Sequence, residues 1–169
     1  MHEDHAREQY FFDPPTVARL AGLLLPFSRP LCLCAPTIAE VLGRAGRPVR
    51  LLEVDERFAH LPGFLRWDLY RPQALDGDAD SRPDVIFCDP PFRKVTLAQL
   101  FTALRVLCRD DFGAPILLCH LRSRAADVVG ALARFGLQPT DIEPGYVTVK
   151  PTEENRVLLY ANFALPASF

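Results

Sequence analysis

The chain has no hydrophobic run long enough to cross a membrane. A transmembrane helix needs about 20 consecutive apolar residues, whereas the stretch 20–27 is short and is interrupted by Pro26. Residues 1–8 are polar and of mixed charge, unlike the apolar core of a signal peptide. We therefore expect a cytoplasmic protein that makes no contact with a membrane.

A surplus of positive charge is also missing. The formal net charge of the 169 residues is −2, whereas nucleic-acid binders usually carry a basic surplus that displaces counterions from phosphates. Of the 19 basic residues only Lys94 and Lys150 are lysines, which we attribute to codon composition. Any contact with nucleic acid must then be local or be supplied by a partner subunit. The oligomeric state is left open by the sequence.

The spacing of the cysteines does not match a structural zinc site. Cys32 and Cys34 are separated by one residue and would share one face of a strand, whereas zinc ligands favour gaps of two to four residues. The number of cysteines, five, is odd, and free buried thiols are the expected state. The segment 2–5 (HEDH) looks like a metal cluster, but its terminal position predicts a solvated, mobile tail over residues 1–8. We expect no metal ion.

What the chain does contain is a regular alternation of apolar strand-like runs and amphipathic helical segments. The strands are predicted over residues 31–35, 49–54, 63–67, 85–88, 116–119 and 156–163. The helices are predicted over residues 14–25, 38–44, 95–108 and 125–135. Residues 75–82 are acidic and turn-rich and are predicted to form a loop.

This alternation predicts the fold class. Strand and helix alternate from residue 31 to residue 136, which indicates βαβ units and a mostly parallel sheet covered by helices on both faces. The last strands follow one another without a helix, so we expect an antiparallel hairpin at the edge of the sheet. The length fits one domain, which we place over residues 9–169.

Ligands of such folds bind at the carboxyl edge of the sheet. Ala35, Pro36 and Thr37 follow the first strand and could cradle a cofactor, because a helix N-terminus offers free N–H groups to a ligand carboxylate. After the second strand, Asp55 is the first choice and Glu53 the second for binding the two hydroxyls of a ribose. An equally weighted alternative is that Asp55 caps the following turn.

The segment Asp89-Pro90-Pro91-Phe92 after the fourth strand is the most specific feature. Proline has a fixed φ and no N–H, so the loop is stiff and its carbonyl groups are free to accept. The Asp89 carboxylate and the Pro90 carbonyl can each accept one N–H of an amine, which turns the nitrogen lone pair toward a methyl donor. Phe92 can stack on a planar base. The alternative is a strand-ending turn in which Asp89 caps and Phe92 packs in the core.

The same segment resembles the (D/N)PP(Y/F) motif of amine-directed methyltransferases that use S-adenosylmethionine. Five pieces of the chain, in order, resemble one group of these enzymes, the probable N6-adenine methyltransferase family: residues 9–12, 31–36, 52–58, 84–92 and 155–163. That family includes lysine methyltransferases of elongation factor 1A and the catalytic domain of a zinc-knuckle ribosomal-RNA adenine methyltransferase.

The resemblance implies a fold, a cofactor and roles for individual residues. The fold is the Rossmann-like class I methyltransferase fold with a seven-stranded sheet, and the cofactor is S-adenosylmethionine, with S-adenosylhomocysteine as product. Asp55 would bind the ribose, Asp68 would lie near the adenine of the cofactor, and residues 89–92 would hold the target amine. The cofactor-binding residues implied by the resemblance are Phe11, Phe12, Pro15, Thr16, Ala35, Pro36, Thr37, Asp55 and Asp68.

Two amines compete as the substrate. The N6 amine of adenine is neutral, whereas a lysine amine has a pKa near about 10.4 and must first lose a proton, which an adjacent Asp89 carboxylate opposes. The chemistry therefore favours adenine in RNA or DNA. Phosphates of a nucleic acid could be contacted at this edge of the sheet by Arg93, Lys94, Arg122 and Arg124. An equally weighted alternative is that these side chains are only solvated residues at the ends of loops. The missing basic surplus favours a protein lysine instead.

A third reading is an inactive methyltransferase-fold scaffold, or the partner subunit of an active enzyme. The intact segment 89–92 argues against it. The sequence shows no added target-recognition domain. We therefore expect the substrate to be a small structured RNA or a protein, or a partner subunit to supply the recognition.

Overall fold

The centre of the protein is a seven-stranded sheet. The computed structural model describes residues 2–76 and 82–166, so part of the predicted loop 75–82 lies outside the described residues. The strand order is β3-β2-β1-β4-β5-β7-β6. The strands are β1 (Pro30–Leu33), β2 (Arg50–Glu53), β3 (Phe64–Arg66), β4 (Val85–Cys88), β5 (Ile116–Leu121), β6 (Gln138–Pro139) and β7 (Val157–Ala161).

The direction of the strands confirms the predicted sheet. Strands β1 to β5 pair in parallel, and β7 runs antiparallel to both β5 and β6. Strand β7 inserts between β5 and β6, so the C-terminal hairpin forms one edge of the sheet. All five parallel strands therefore point their carboxyl ends toward the same edge, where the loops that follow them meet.

Helices cover both faces of the sheet, as predicted. They are α1 (Pro14–Leu24), α2 (Pro36–Arg44), α3 (Leu97–Leu107) and α4 (Ala125–Ala131). Helices α1 and α2 pack over one face, with Cys32, Phe87 and Leu117 of the sheet. Helices α3 and α4 pack over the other face, with Leu33, Ile86 and Leu118. Each central strand is buried on both sides, which explains its continuous apolar run.

Local hydrogen bonds fix the N-terminal ends of helices α1 and α3. Helix α1 begins after Asp13, whose carboxylate accepts from the Thr16 N–H at 2.9 Å, and prolines fill the first turn, where a missing N–H costs nothing. Helix α3 begins with a capping box, in which Thr96 and Gln99 bond reciprocally. In the described part of the chain, no helix combines the length and the apolar character that a membrane span requires.

Candidate active site

The loops after β1, β2, β3 and β4 meet around one cavity. The cavity opens to solvent, and its wall includes Ala35, Glu53, Asp68 and Asp89, one residue from the carboxyl end of each of these strands. The structure thus brings together residues from all four strand ends that the sequence singles out.

The segment 89–92 is anchored by the backbone on both sides. The Asp89 N–H donates to the Leu33 carbonyl at 3.1 Å, and the Val95 N–H donates to the Pro91 carbonyl at 3.0 Å. Among the described residues, no donor is bonded to the Pro90 carbonyl. A loop fixed in this way leaves one carboxylate and one carbonyl as acceptors beside the cavity.

Burial controls the charge of Asp89. It raises the pKa of the carboxyl to about 8, and a hydrogen bond from the Tyr146 hydroxyl opposes part of that rise. Burial also raises the pKa of the thiols of Cys34, Cys88 and Cys119, and the Asp89 charge raises it further, so all three stay neutral. In the residues that the structure describes, no cluster could hold a metal ion.

Phe92 lies between the core and the cavity. Its ring is half-buried, packs against the apolar core and lines the cavity wall. The centre of the ring is 5.4 Å from that of His120. Burial lowers the pKa of His120 to about 4, and its Nδ1 accepts from the Leu121 N–H at 2.9 Å, which assigns the proton of the neutral ring to Nε2. The Phe92 ring thus contacts the core and also lines the cavity, and its stacking on a base stays a prediction.

The acidic residues after β2 occupy different places from those predicted. Glu53 ends the strand and lines the cavity, and its Oε1 accepts from the N–H groups of Val54 at 2.8 Å and Asp55 at 3.1 Å. The described cavity wall does not include Asp55. Its carboxylate caps the next turn and binds the Arg57 guanidinium at 2.5 Å, which holds its pKa below the usual range. Asp55 takes the place given by the capping alternative, because Arg57 follows two residues later.

The loop after β1 matches an anion-binding helix start. Cys34 has a left-handed φ of 56°, so the chain turns where a glycine-rich loop would be expected. Helix α2 then begins at Pro36, and its N-cap residue Ala35 makes no side-chain hydrogen bond to the first turn. The N–H groups of the first turn, starting with Thr37, are therefore available to a ligand carboxylate.

Several cavity residues have no counterpart in the sequence prediction. Val54 is 42% exposed although it is apolar, and Tyr70, 50% exposed, donates its hydroxyl to the Lys94 carbonyl at 3.2 Å. Asp68 lines the cavity, and its Oδ1 accepts from the Tyr70 N–H at 2.9 Å. An apolar residue directly after a strand-ending acid was a signal for Val54, but nothing local marks Tyr70.

Four residues of the predicted cofactor segment lie outside the described cavity wall. Phe11 packs edge-on against Phe58 at 6.3 Å, and Phe12 packs against the Tyr146 ring at 4.8 Å. Thr16 accepts from the Gly145 N–H at 2.9 Å. Pro15 is exposed in the first turn of α1. These residues hold neighbouring segments instead of facing the cavity, because the chain reaches the cavity slightly earlier, at residues 7–10.

The predicted phosphate-binding cations mostly have partners within the chain. The Lys94 ammonium donates to the Ala6 carbonyl, and Arg122 pairs with Glu143 at 3.1 Å. Arg93 is exposed beside the cavity, and its backbone N–H donates to the Glu8 carboxylate at 3.2 Å. Arg124 pairs with Asp127 at 3.4 Å, and phosphate binding by any of these four residues stays a prediction.

Residues 2–8, predicted to be a mobile tail, are bonded to the domain. The Glu3 carboxylate accepts from the Phe11 N–H at 3.0 Å, Glu8 accepts from two N–H groups just after Phe92, and Arg57 donates to the His2 carbonyl at 3.0 Å. None of the residues His5–Arg7 is buried. Mobility of the segment stays a prediction, and these are the contacts that its movement would break.

The fold and the site together define a class of protein. An open sheet in this order, with a cavity where the loops after its first four strands meet, is the Rossmann-like class I methyltransferase fold, whose cofactor is S-adenosylmethionine. The chain belongs to the family described as "Probable N6-adenine methyltransferase", whose model matches residues 3–165. It is a methyltransferase of that family, and the resemblance seen in the sequence is confirmed.

Solved structures agree on the fold. A "putative RNA methyltransferase" from Pyrococcus horikoshii superposes with a TM-score of 0.62 at 16% identity, over 95% of this chain and 88% of that one. An S-adenosylmethionine-dependent methyltransferase from Clostridium acetobutylicum gives 0.59 at 10% identity, over 88% and 91%. The 16S rRNA N2 G1207 methyltransferase of T. thermophilus, in complex with AdoMet and guanosine, gives 0.54 at 16% identity, over 97% and 46%. At these identities the likeness concerns the fold alone, and no curated protein matches the chain.

Proposed function

We propose that this protein transfers the methyl group of S-adenosylmethionine to the N6 amine of adenine in nucleic acid. The observation that carries the proposal is the segment 89–92 at the cavity wall, with the Asp89 carboxylate and the Pro90 carbonyl as acceptors. The family description names adenine N6, which supports nucleic acid over protein as the substrate, with RNA and DNA both possible.

The cavity residues fit the parts of the cofactor, which would supply a sulfonium methyl group open to attack by a nitrogen lone pair. The start of α2 would bind its carboxylate through the N–H of Thr37. Glu53, in place of Asp55, would accept from the ribose hydroxyls, because Glu53 lines the cavity. The exposed Val54 would cover one face of its adenine, beside Asp68.

The residues of the loop would position the target amine. One oxygen of Asp89 and the Pro90 carbonyl accept the two N–H groups, so that the lone pair faces the methyl group. Phe92 stacks on the base, a contact worth roughly 1–3 kcal/mol. As the C–N bond formed, the C–S bond of the sulfonium would break and S-adenosylhomocysteine would leave. The nitrogen would then shed a proton, which Asp89, whose pKa is raised to about 8, is suited to accept near neutral pH.

Protein lysine is the second candidate. The raised pKa of Asp89 favours it in one respect, because the carboxylate could take the proton that a lysine ammonium must lose. The net charge of −2 also favours a protein over a polyanion. Adenine remains the better fit because its amine needs no prior deprotonation and because the flat Phe92 ring lines the cavity.

The test is methyl transfer from tritiated S-adenosylmethionine into cell extract, split between nuclease and protease digestion. We expect label that nuclease removes, and N6-methyladenosine in the digest. Asp89→Ala should incorporate at least about 100-fold less label while its circular dichroism matches that of the unmodified protein. Label that only protease removes would transfer the proposal to lysine. No label, together with no calorimetric binding of the cofactor, would support the inactive scaffold.

A further inference from the structure

Tyr146 is a cavity residue that the sequence does not single out. It lies in the long connection between β6 and β7, far from the segment 89–92 along the chain, and it forms part of the cavity wall. Its ring packs against Phe12 at 4.8 Å between centres. The side chain therefore lies in the same cavity wall as the segment 89–92.

The backbone around Tyr146 is pinned at both neighbours. The Gly145 carbonyl accepts from the Asp13 N–H at 3.0 Å, and the Val147 N–H donates to the Phe11 carbonyl at 2.9 Å. A Cβ at Gly145 would overlap the Asp13 carboxylate, so a larger residue there would displace the side chain that caps α1. This bracing leaves the Tyr146 ring little freedom to move away from its partner.

That partner is the carboxylate at the centre of the site. The Tyr146 hydroxyl donates to Asp89 Oδ1 at 2.8 Å. One carboxylate oxygen is thereby occupied, and the rotation of the carboxylate about its own axis is fixed. The other oxygen, Oδ2, is left to accept from an amine together with the Pro90 carbonyl, among whose described contacts no donor appears.

We propose that Tyr146 is a positioning residue for methyl transfer, acting through its hydrogen bond to Asp89 Oδ1. The inference rests on the proposed function, in which Asp89 holds the target amine. A tyrosine hydroxyl that donates to the carboxylate favours the ionised form. The bond therefore orients Oδ2 toward the amine, and it keeps the carboxylate ionised, and able to accept an N–H, at a pH nearer to neutral.

Other titratable groups face Asp89 and must be separated from this effect. The thiols of Cys34, Cys88 and Cys119 lie close to it and are held neutral by burial. Across the cavity stand the charged side chains of Arg7, Glu8, Glu53 and Asp68, with the phenols of Tyr10 and Tyr70 and, beyond Phe92, the neutral His120. All of these are unchanged in Tyr146→Phe, so a difference between the two proteins reports the hydroxyl.

The first measurement needs no substrate. Asp89 is followed by ¹³C NMR of aspartate carboxyl carbons, with its resonance assigned by its loss in Asp89→Asn. We expect a higher titration midpoint for Asp89 in Tyr146→Phe than in the unmodified protein. Tyr160→Phe is the matched control, since it removes the hydroxyl that Tyr160 donates to the Leu121 carbonyl at 3.2 Å, and it should leave the midpoint unchanged.

The second measurement is the pH profile of kcat. In Tyr146→Phe we expect kcat at pH 7 to fall roughly 10- to 150-fold, the range for loss of one hydrogen bond to a charged group, with the rise of the profile moved to higher pH and the KM for the cofactor unchanged. In an Asp89→Ala background, Tyr146→Phe should have no further effect, because the oxygen to which the Tyr146 hydroxyl donates is already gone.

The outcomes separate this proposal from the function on which it rests. Suppose that the protein methylates adenine but that Tyr146→Phe changes neither the titration midpoint of Asp89 nor the pH profile of kcat. The positioning role of Tyr146 would then be overturned. A kcat loss of equal size in both Asp89 backgrounds would also overturn it, because the residue would then act independently of Asp89. A raised midpoint supports the bond even if no acceptor is methylated, in which case the proposed function is what fails.

Discussion

Three carboxylates near the carboxyl edge of the sheet have different pKa values, because each lies in different surroundings. Burial raises the pKa of Asp89 to about 8 and also raises that of Glu53. Asp55 has its pKa lowered, because the Arg57 guanidinium lies against it. A carboxylate with a full cationic partner is a structural ion pair, whereas the two with raised pKa values face the cavity, as functional carboxylates commonly do.

Asp89 should reduce stability as the pH rises. Its pKa is about 3.9 when unfolded and is raised to about 8 in the fold. The folded state thus binds the proton more tightly, and this contribution to stability is complete below about pH 4 and is lost as the pH rises to about 8. We expect Asp89→Asn to raise the Tm by a larger margin at pH 8 than at pH 5, measured by thermal unfolding.

The control for that measurement is Asp141→Asn, because Asp141 is an exposed aspartate outside the cavity wall. An Asp89→Asn margin that is the same at both pH values would contradict the raised pKa of Asp89.

Glu53 and Asp55 should respond differently to removal. We expect Glu53→Ala to weaken the binding of S-adenosylhomocysteine by about 1–3 kcal/mol, the cost of losing a buried charged hydrogen-bond partner, because Glu53 lines the cavity. Asp55→Ala should change it less, because its carboxylate is bonded to Arg57. Isothermal titration calorimetry measures both, with Glu40→Ala on the surface of α2 as control. A larger loss of affinity in Asp55→Ala than in Glu53→Ala would indicate that Asp55 binds the ribose.

At the scale of elements, a cavity residue could be predicted from the sequence only where neighbouring residues mark it. The strand ends at Ala35 and Asp89 follow from apolar runs and the residues directly after them, and both line the cavity. Tyr146 could not be predicted, because its contact with Asp89 spans 57 positions. Asp55 directly follows the predicted strand 49–54, whereas the observed strand β2 ends at Glu53, so Glu53 and Val54 line the cavity and Asp55 caps the next turn.

The N-terminal segment is an element whose contribution can be measured separately. Residues 7–10 form part of the cavity wall, and Glu8 bonds the two backbone N–H groups after Phe92. We expect deletion of residues 1–8 to speed the dissociation of S-adenosylhomocysteine roughly tenfold in stopped-flow fluorescence, because one wall is opened. The Tm should change little, since the segment buries no side chain in the core. An unchanged dissociation rate would exclude this closing role.

At the scale of the whole molecule, the fold was predictable because its signals recur along the chain. Alternating strands and helices, prolines at element starts and a missing final helix together predict the parallel sheet and its antiparallel edge. The electrostatics were not predictable to the same degree. Lys94 and Arg122 were expected to meet phosphates, but long-range contacts with Ala6 and Glu143 engage them.

Binding of nucleic acid should therefore depend only moderately on salt. With Arg93, Lys94, Arg122 and Arg124 as the cations beside the site, at most about four phosphates are contacted, and log K should fall with log salt with a slope no steeper than about −3 for a single strand. Arg93→Ala should reduce the slope by about 0.7, measured by fluorescence anisotropy. A much steeper slope would indicate a basic surface elsewhere or on a partner.

The most direct test of the central claim is a crystal structure with S-adenosylhomocysteine. We expect the ligand in the cavity, with its carboxylate at the start of α2, its ribose hydroxyls bonded to Glu53 and its sulfur facing Asp89 and Pro90. A ligand bound elsewhere, or a sulfur turned away from Asp89, would contradict methyl transfer to an amine held by this loop.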